Sequence, residues 1–474
     1  MSRPAPRLPL STRIFYGLGA VAYGVKDNGF SYFLLIYYNQ VLGLSPTLTG
    51  AALMIALLSD ALSDPIVGWL SDNWRSRWKR RHPFMYASAL PLAVAYAFLW
   101  NPPAGLGQTG LFAYLVCAAV GIRTLVTLYE IPSTSLVPEL TQDYDERTSL
   151  LAYRYFFGWY GGLGMAALAY TVFLRATPEY PSGVLNPEGY RVYGAVGAAA
   201  MFASVLVSAA GTHRYIPVLR SPPEARRFEL RRVFRELAET LSNRSFLALF
   251  WASLFAFVGL GLGASLNLYI NTFFWELASE EIRYIVYLQF GSALLALAVA
   301  PRAAARFDKK GAALRAFLAS ILLGPAPVLL RLAGLFPGNE SPWLLPILMA
   351  HGMLEVTLLV MLGIFISSMI ADIAEENEIR TGRREEGLFF AARSFAVKAT
   401  SGLGVLLAGV TVQAIGLPDG ARPGEVDPAV VFRLGVVFGP TLMGLYLVAL
   451  GFLSRYRISR RGHAENLAAL ARRS

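Results

Sequence analysis

Cysteine is almost missing from this chain: Cys117 is the single one in 474 residues. That excludes a disulfide framework and a cysteine-based metal site. Histidine is nearly as rare, and His82, His213, His351 and His463 lie too far apart in sequence to suggest a ligand cluster. Charge is scarce as well. Asp, Glu, Lys and Arg make up 15% of the residues, where a soluble chain of this length carries about a quarter. Lysine occurs five times. The N-terminus lacks the layout of a signal peptide, because its first apolar run is span-length and no small-residue cleavage site follows. No nucleophile triad, phosphate loop or sizeable polar domain is in view, which argues against a membrane enzyme or receptor.

What the chain has instead is apolar length. It is 55% hydrophobic, with a mean hydropathy of +0.47. Twelve apolar runs recur, at 14–40, 46–70, 84–100, 110–138, 150–174, 192–212, 246–275, 283–301, 311–334, 343–370, 387–415 and 429–453. Each is near the ~20 residues that cross a bilayer as a helix. Backbone groups in lipid must be satisfied internally, so these runs are expected to be helices.

The net charge is +11. Its placement explains it without a nucleic-acid partner. Arg75, Arg77, Lys79, Arg80 and Arg81 follow the second run, and a series from Arg214 to Arg235 follows the sixth. Arg302, Arg306, Lys309 and Lys310 follow the eighth, Arg380, Arg383 and Arg384 the tenth, and Arg455, Arg457, Arg460 and Arg461 the twelfth. The intervening loops hold strays such as Arg175, Arg191, Arg283, Arg331 and Arg422. This is the positive-inside bias. It predicts a multi-pass protein of a plasma membrane, of the bacterial inner-membrane kind, with both termini cytoplasmic and anionic lipid beside its basic loops.

The polar stretch from Tyr215 to Arg244 divides the chain near its middle. The expected organisation is a six-helix bundle over 1–214, a cytoplasmic linker over 215–244, a second bundle over 245–454 and a tail over 455–474. An internal echo supports two halves. Ser135, Glu139, Asp143, Asp145 and Arg147 register against Ser368, Asp372, Glu376, Glu378 and Arg380 at one offset of 233 residues. A parallel repeat of six helices requires an echo of that length.

Asp60 and Asp64 stand one helical turn apart inside the second run. A carboxylate in hydrocarbon costs several kcal/mol, so it marks an ion or proton path. Residues i and i+4 share a helix face, and like charges that close are not both ionised cheaply. A bound cation removes the conflict. Pro65 deprives the Ala61 carbonyl of its usual donor beside the pair. Ser63 and Thr127 can add hydroxyls. Such hard oxygens suit Na⁺ or Li⁺. Alternatively, one carboxyl carries a proton. Lys26, Asp27, Arg123, Glu130, Arg154, Glu355, Arg393 and Lys398 also fall inside runs. Arg123 and Glu355 are read as fasteners between helices, and Arg154 and Arg393 as partly snorkelling to the interface. Asp60, Asp64, Glu130 and Lys398 lie deeper. In the loop after the second run, Gly68, Asp72, Arg75 and Arg77 form a G-x-x-x-D pattern followed by clustered arginine. It is expected to latch, with Asp72 pairing an arginine or a helix N-terminus.

Three segments together resemble the glycoside–pentoside–hexuronide:cation symporters of the major facilitator superfamily. They are Ser59 to Gly68, Tyr129 to Pro138, and Gly382 through Lys398, with Tyr16 to Gly19 in support. The G-x-x-x-D loop resembles that superfamily's cytoplasmic signature. The resemblance runs over nearly the whole chain. It implies an all-α membrane protein with twelve transmembrane helices in two six-helix pseudo-repeat bundles. It further implies a secondary transporter that moves a sugar, glycoside or hexuronate with Na⁺, Li⁺ or H⁺ and has no other cofactor. By the same resemblance Asp60, Asp64, Ser63 and Thr127 bind the cation. Glu130 accepts hydrogen bonds from sugar hydroxyls, and Arg154, Lys398, Asp27 and Lys26 face the same solute. The register around Asp27 is displaced by about a turn from the family pattern. The melibiose branch stacks its sugar on tryptophans, and the matching positions here are Thr134 and Gly363. An alternative substrate class is therefore a lysophospholipid or other amphiphile on the same scaffold. Phe30, Tyr32, Phe33 and Tyr37 can line either path or pack as core.

Overall fold

A computed structural model describes residues 8–141, 143–219, 244–307, 309–381 and 386–455. Most of the expected linker, nearly all of the expected tail, and Arg383 and Arg384 lie outside these residues. Regular structure among the described residues is all helical. The chain divides into two compact units, one built on residues up to 228 and one on the rest, with Ala278–Glu280 and Pro418–Ala421 counted in the first.

The first unit starts with α1 (Leu10–Leu18) and α2 (Ala20–Asn28). These run on through π turns at Gly29–Phe33 and Tyr37–Val41, so the first expected span is a helix of changing pitch. Aromatic packing fixes that end. The Tyr37 and Tyr38 hydroxyls donate to the Trp100 and Leu99 carbonyls at 2.9 and 2.8 Å. Phe33 and Tyr37 sit in a buried cluster with Trp100, Tyr190 and Tyr193. These two rings are therefore core.

Then follow α3 (Pro46–Asn73), α4 (His82–Leu99), α5 (Gln108–Ser135), α6 (Tyr144–Leu168) and α7 (Pro187–His213). Proline at the first position and side-chain caps set several starts. Asp143 and Asn186 accept from the Glu146 and Glu188 amides. Helix α3 packs on α5, α4 on α7, and α2 on α6. The last approach depends on glycine: a Cβ on Gly24 would lie 2.0 Å from the Gly158 carbonyl oxygen.

The second unit holds α8 (Arg244–Tyr269), α9 (Ser279–Phe307), α10 (Lys309–Leu323), α11 (Leu344–Thr381), α12 (Glu386–Ile415) and α13 (Pro428–Leu453). Helix α8 packs on α12 and α13, as α1 and α2 pack on α6 and α7. Ser279 opens α9 at 233 residues after Pro46 opens α3, the offset already seen in the loop echo.

Among the described residues ten helices are long and apolar enough to cross a membrane, and Thr400–Ile415 of α12 is a shorter apolar stretch. Leu62, Leu90, Leu294, Leu297, Leu322 and Phe432 are exposed. Apolar surface on that scale is costly in water and ordinary in lipid.

Candidate functional site

Helices α3 and α5 carry the centre of the site. Asp60 and Asp64 project from one face of α3, and Thr127 meets both from α5. The Thr127 Oγ lies 3.0 Å from Oδ1 of Asp60 and 3.0 Å from Oδ1 of Asp64. A hydroxyl has one proton to donate, so it satisfies one carboxylate by itself. The hydroxyl therefore chooses between two acceptors that stand equally close. Ser63 is turned differently: its hydroxyl donates to the Asp60 backbone carbonyl at 3.1 Å. Asp60 and Arg123 are each only 6% exposed, and Arg123 Nη1 lies 3.1 Å from Oδ2 of Asp60. The fastener expected between helices thus grips the site's own carboxylate. The guanidinium also rests 5.0 Å from the centroid of the Phe30 ring.

One turn further along α5, Glu130 accepts from Arg154 Nη2 at 3.2 Å, and Arg154 Nη1 donates to Ser133 Oγ at the same distance. The Glu130 side chain keeps 31% exposure, so it can still accept from a solute. On α2, Lys26 is buried, with its ammonium 3.6 Å from Asp27 and 4.4 Å from the centroid of the Tyr23 ring. The Asp27 side chain is 50% exposed. Lys398 belongs to the second unit, on α12, and is half-buried.

Arg123, Thr127, Glu130 and Ser133 follow one another at helical spacing. That stripe was available in the sequence and would have placed Arg123 and Ser133 in the site. The offset of 233 also locates what the second unit lacks. At the positions of Asp60, Asp64, Arg123 and Thr127 it has Ala293, Leu297, Val356 and Val360. There α9 and α11 meet through neutral contacts, Ser292 Oγ donating to the Met353 carbonyl at 3.1 Å.

The loop after α3 closes on itself. Asp72 pairs with Arg81 at 2.5 Å and Arg80 at 3.7 Å, and both arginines reach Glu139, at 3.5 and 2.5 Å. The expected Arg75 and Arg77 do not take that role. Arg75 is exposed and Arg77 lies over the Trp78 ring. The reason is a reversal at Ser76–Lys79. Ser76 Oγ accepts from the Trp78 amide and donates to the Lys79 carbonyl, and Lys79 takes a φ of 59°. The chain is thereby folded back, so the last two arginines return to Asp72. Burial lowers the proton affinity of Arg81, and Asp72 opposes that shift. Gly68 packs loosely, a Cβ there meeting Ile131 at 3.7 Å.

Comparison with known proteins agrees with this architecture. The family of MFS/sugar transport proteins matches residues 15–460. A symporter of Synechocystis sp., sll1374, is 27% identical over 90% of this chain and 89% of its own. The isoprimeverose transporter of Lactiplantibacillus pentosus is 23% identical over 86% of this chain and 81% of its own. Among solved structures, the inward-open xylose transporter XylE from E. coli superposes with a TM-score of 0.65, covering 97% of this chain and 98% of that one. At 13% identity this last likeness speaks for the fold alone. The chain is thus a multi-pass membrane transporter and not an enzyme, and it belongs to the MFS/sugar transport proteins, in the glycoside–pentoside–hexuronide:cation symporter family.

Proposed function

We propose that this transporter couples one monovalent cation, Na⁺, Li⁺ or H⁺, to symport of a sugar, glycoside or hexuronate by alternating access. The observation that carries the reading is the single Thr127 hydroxyl held between Asp60 and Asp64 at 3.0 Å from each. Three hard oxygens converge there, a donor set suited to a small alkali ion or to a shared proton. Charge balance points the same way. Within the membrane runs of the first unit, Asp27, Asp60, Asp64 and Glu130 face Lys26, Arg123 and Arg154. Four carboxylates against three bases leave one negative charge, which one monovalent cation offsets.

The solute is assigned to Glu130 and its neighbours. A half-exposed carboxylate fixed by an arginine is a good acceptor for sugar hydroxyls. Arg154 and Lys26 suit the carboxylate of a hexuronate, and Asp27 offers a further acceptor. Cation binding one turn away neutralises the Asp60/Asp64 pair and favours the solute-binding state, and linkage makes the effect reciprocal. The basic loops orient both termini to the cytoplasm, where Asp72, Arg80, Arg81 and Glu139 act as a latch.

A second reading, an amphiphile such as a lysophospholipid, draws on Thr134 and Gly363. Thr134 is exposed, and a Cβ on Gly363 would meet nothing within 4 Å, so neither position offers an aromatic platform for a sugar ring. One experiment tests both: uptake into vesicles under imposed Na⁺, Li⁺ or H⁺ gradients, against a panel of sugars, uronates and lysolipids. Gradient-driven uptake of a sugar or uronate supports the first reading. Uptake blocked by acyl-chain analogues and unaffected by free sugars supports the second. Equal uptake with and without any ion gradient refutes symport.

A further inference from the structure

The cation site holds a cation of the protein's own. Arg123 Nη1 is 3.1 Å from Asp60 Oδ2, while Oδ1 of the same carboxylate faces Thr127. Both members of the pair are buried. The guanidinium is confined by more than its ion pair, since it lies over the buried Phe30 ring and comes from the same stripe of α5 as Thr127. An arginine is charged at every working pH, so this positive charge is permanent. We infer that Arg123 sets the affinity of the site, as a tethered guanidinium that competes with a metal ion for Asp60 and holds down the binding of Na⁺ and Li⁺. The inference rests on the cation-site reading above and deepens it.

The physical basis is charge and geometry together. With the arginine in place, Asp60 and Asp64 present one net negative charge to an incoming ion, and one oxygen of Asp60 is already engaged. Without it they present two. A metal ion about 6 Å from the guanidinium, at an effective dielectric of about 20, meets a repulsion equivalent to roughly 100-fold in affinity. The same pair keeps Asp60 neutralised when no ion is bound, so the empty carrier does not expose a lone buried carboxylate.

The test is ion binding by the purified full-length protein, read from intrinsic tryptophan fluorescence and from the thermal unfolding midpoint. NaCl or LiCl replaces choline chloride at constant ionic strength. Arg123→Gln removes the charge and Arg123→Lys keeps it. The expected result is half-saturation of Arg123→Gln at a Na⁺ or Li⁺ concentration roughly tenfold to 100-fold below that of wild type, with Arg123→Lys close to wild type. An unchanged or weaker ion response in Arg123→Gln overturns the inference, as does an equal gain in Arg123→Lys. Should Arg123→Gln fold poorly, rescue by NaCl or LiCl over choline chloride supports the inference, and equal instability in all three salts overturns it. Asp60→Asn separates this from the parent reading. If its ion response survives, the cation site itself is wrongly assigned. If that response is lost while Arg123→Gln matches wild type, Arg123 alone is wrongly assigned.

Discussion

Asp60→Asn is expected to destabilise the protein far more than Asp64→Asn, although the two residues are one turn apart on α3. The difference is Arg123. Replacing Asp60 leaves a guanidinium, 6% exposed and previously paired at 3.1 Å, without its carboxylate. Removing one partner from a buried ion pair costs about 3–5 kcal/mol, because the remaining charge is stranded. Replacing Asp64 leaves an amide oxygen that still accepts from Thr127, so a charged hydrogen bond becomes a neutral one, a loss of about 1–1.5 kcal/mol. The assay is a double-mutant cycle on unfolding midpoints in detergent, with choline as the sole cation. For a chain of 474 residues Asp60→Asn should lower the midpoint by about 3–5 °C. The double variant Asp60→Asn with Arg123→Gln should recover most of that loss, since neither charge is then stranded. If Asp60→Asn is as stable as wild type, or if the two losses simply add, Arg123 and Asp60 are not energetically coupled and the geometry has been given a false weight.

Thr127→Val, which keeps the shape of the side chain and removes its hydroxyl, should weaken ion binding by about tenfold, the equivalent of one net hydrogen bond, in a titration of ion-dependent fluorescence. Arg154→Gln should raise KM for solute about tenfold or more with a smaller change in maximal uptake rate, because Glu130 loses the donor that orients it. Glu139→Gln should cost about 2–4 kcal/mol, seen as a lower unfolding midpoint, since Arg80 and Arg81 both rely on that carboxylate. Gly24→Ala should reduce the yield of folded protein by forcing α2 away from α6, with a cost of about 1–3 kcal/mol, and Gly164→Ala, whose Cβ would meet nothing within 4 Å, is the matched control.

The sequence gives away what depends on local spacing and hides what depends on register between helices. The shared face of Asp60 and Asp64 is legible from their i, i+4 spacing, but of the two hydroxyls expected beside them only Thr127 arrives, Ser63 donating to the Asp60 carbonyl instead. The spans are legible because lipid permits little besides helix. The pitch change at Gly29–Phe33 and Tyr37–Val41 is hidden, since it answers to Trp100 and Tyr190, more than sixty residues away. Phe33 and Tyr37 look like path-lining rings in a one-dimensional pattern and become core when those partners arrive. The partner of Arg123 depends on how α3 slides along α5, which one sequence does not state. The exchange of Arg75 and Arg77 for Arg80 and Arg81 has a local cause, the left-handed turn at Lys79. A non-glycine residue at positive φ carries no signature strong enough to anticipate.

The most direct measurement is solute affinity as a function of ion concentration, made on purified wild type and Asp60→Asn with a solute that the uptake screen identifies. Coupling through Asp60, Asp64 and Thr127 predicts that saturating ion tightens solute binding in wild type by about 5- to 150-fold, that solute tightens ion binding by the same factor, and that Asp60→Asn loses both effects. Solute binding that ignores the ion in wild type, or still responds to it in Asp60→Asn, contradicts the cation site.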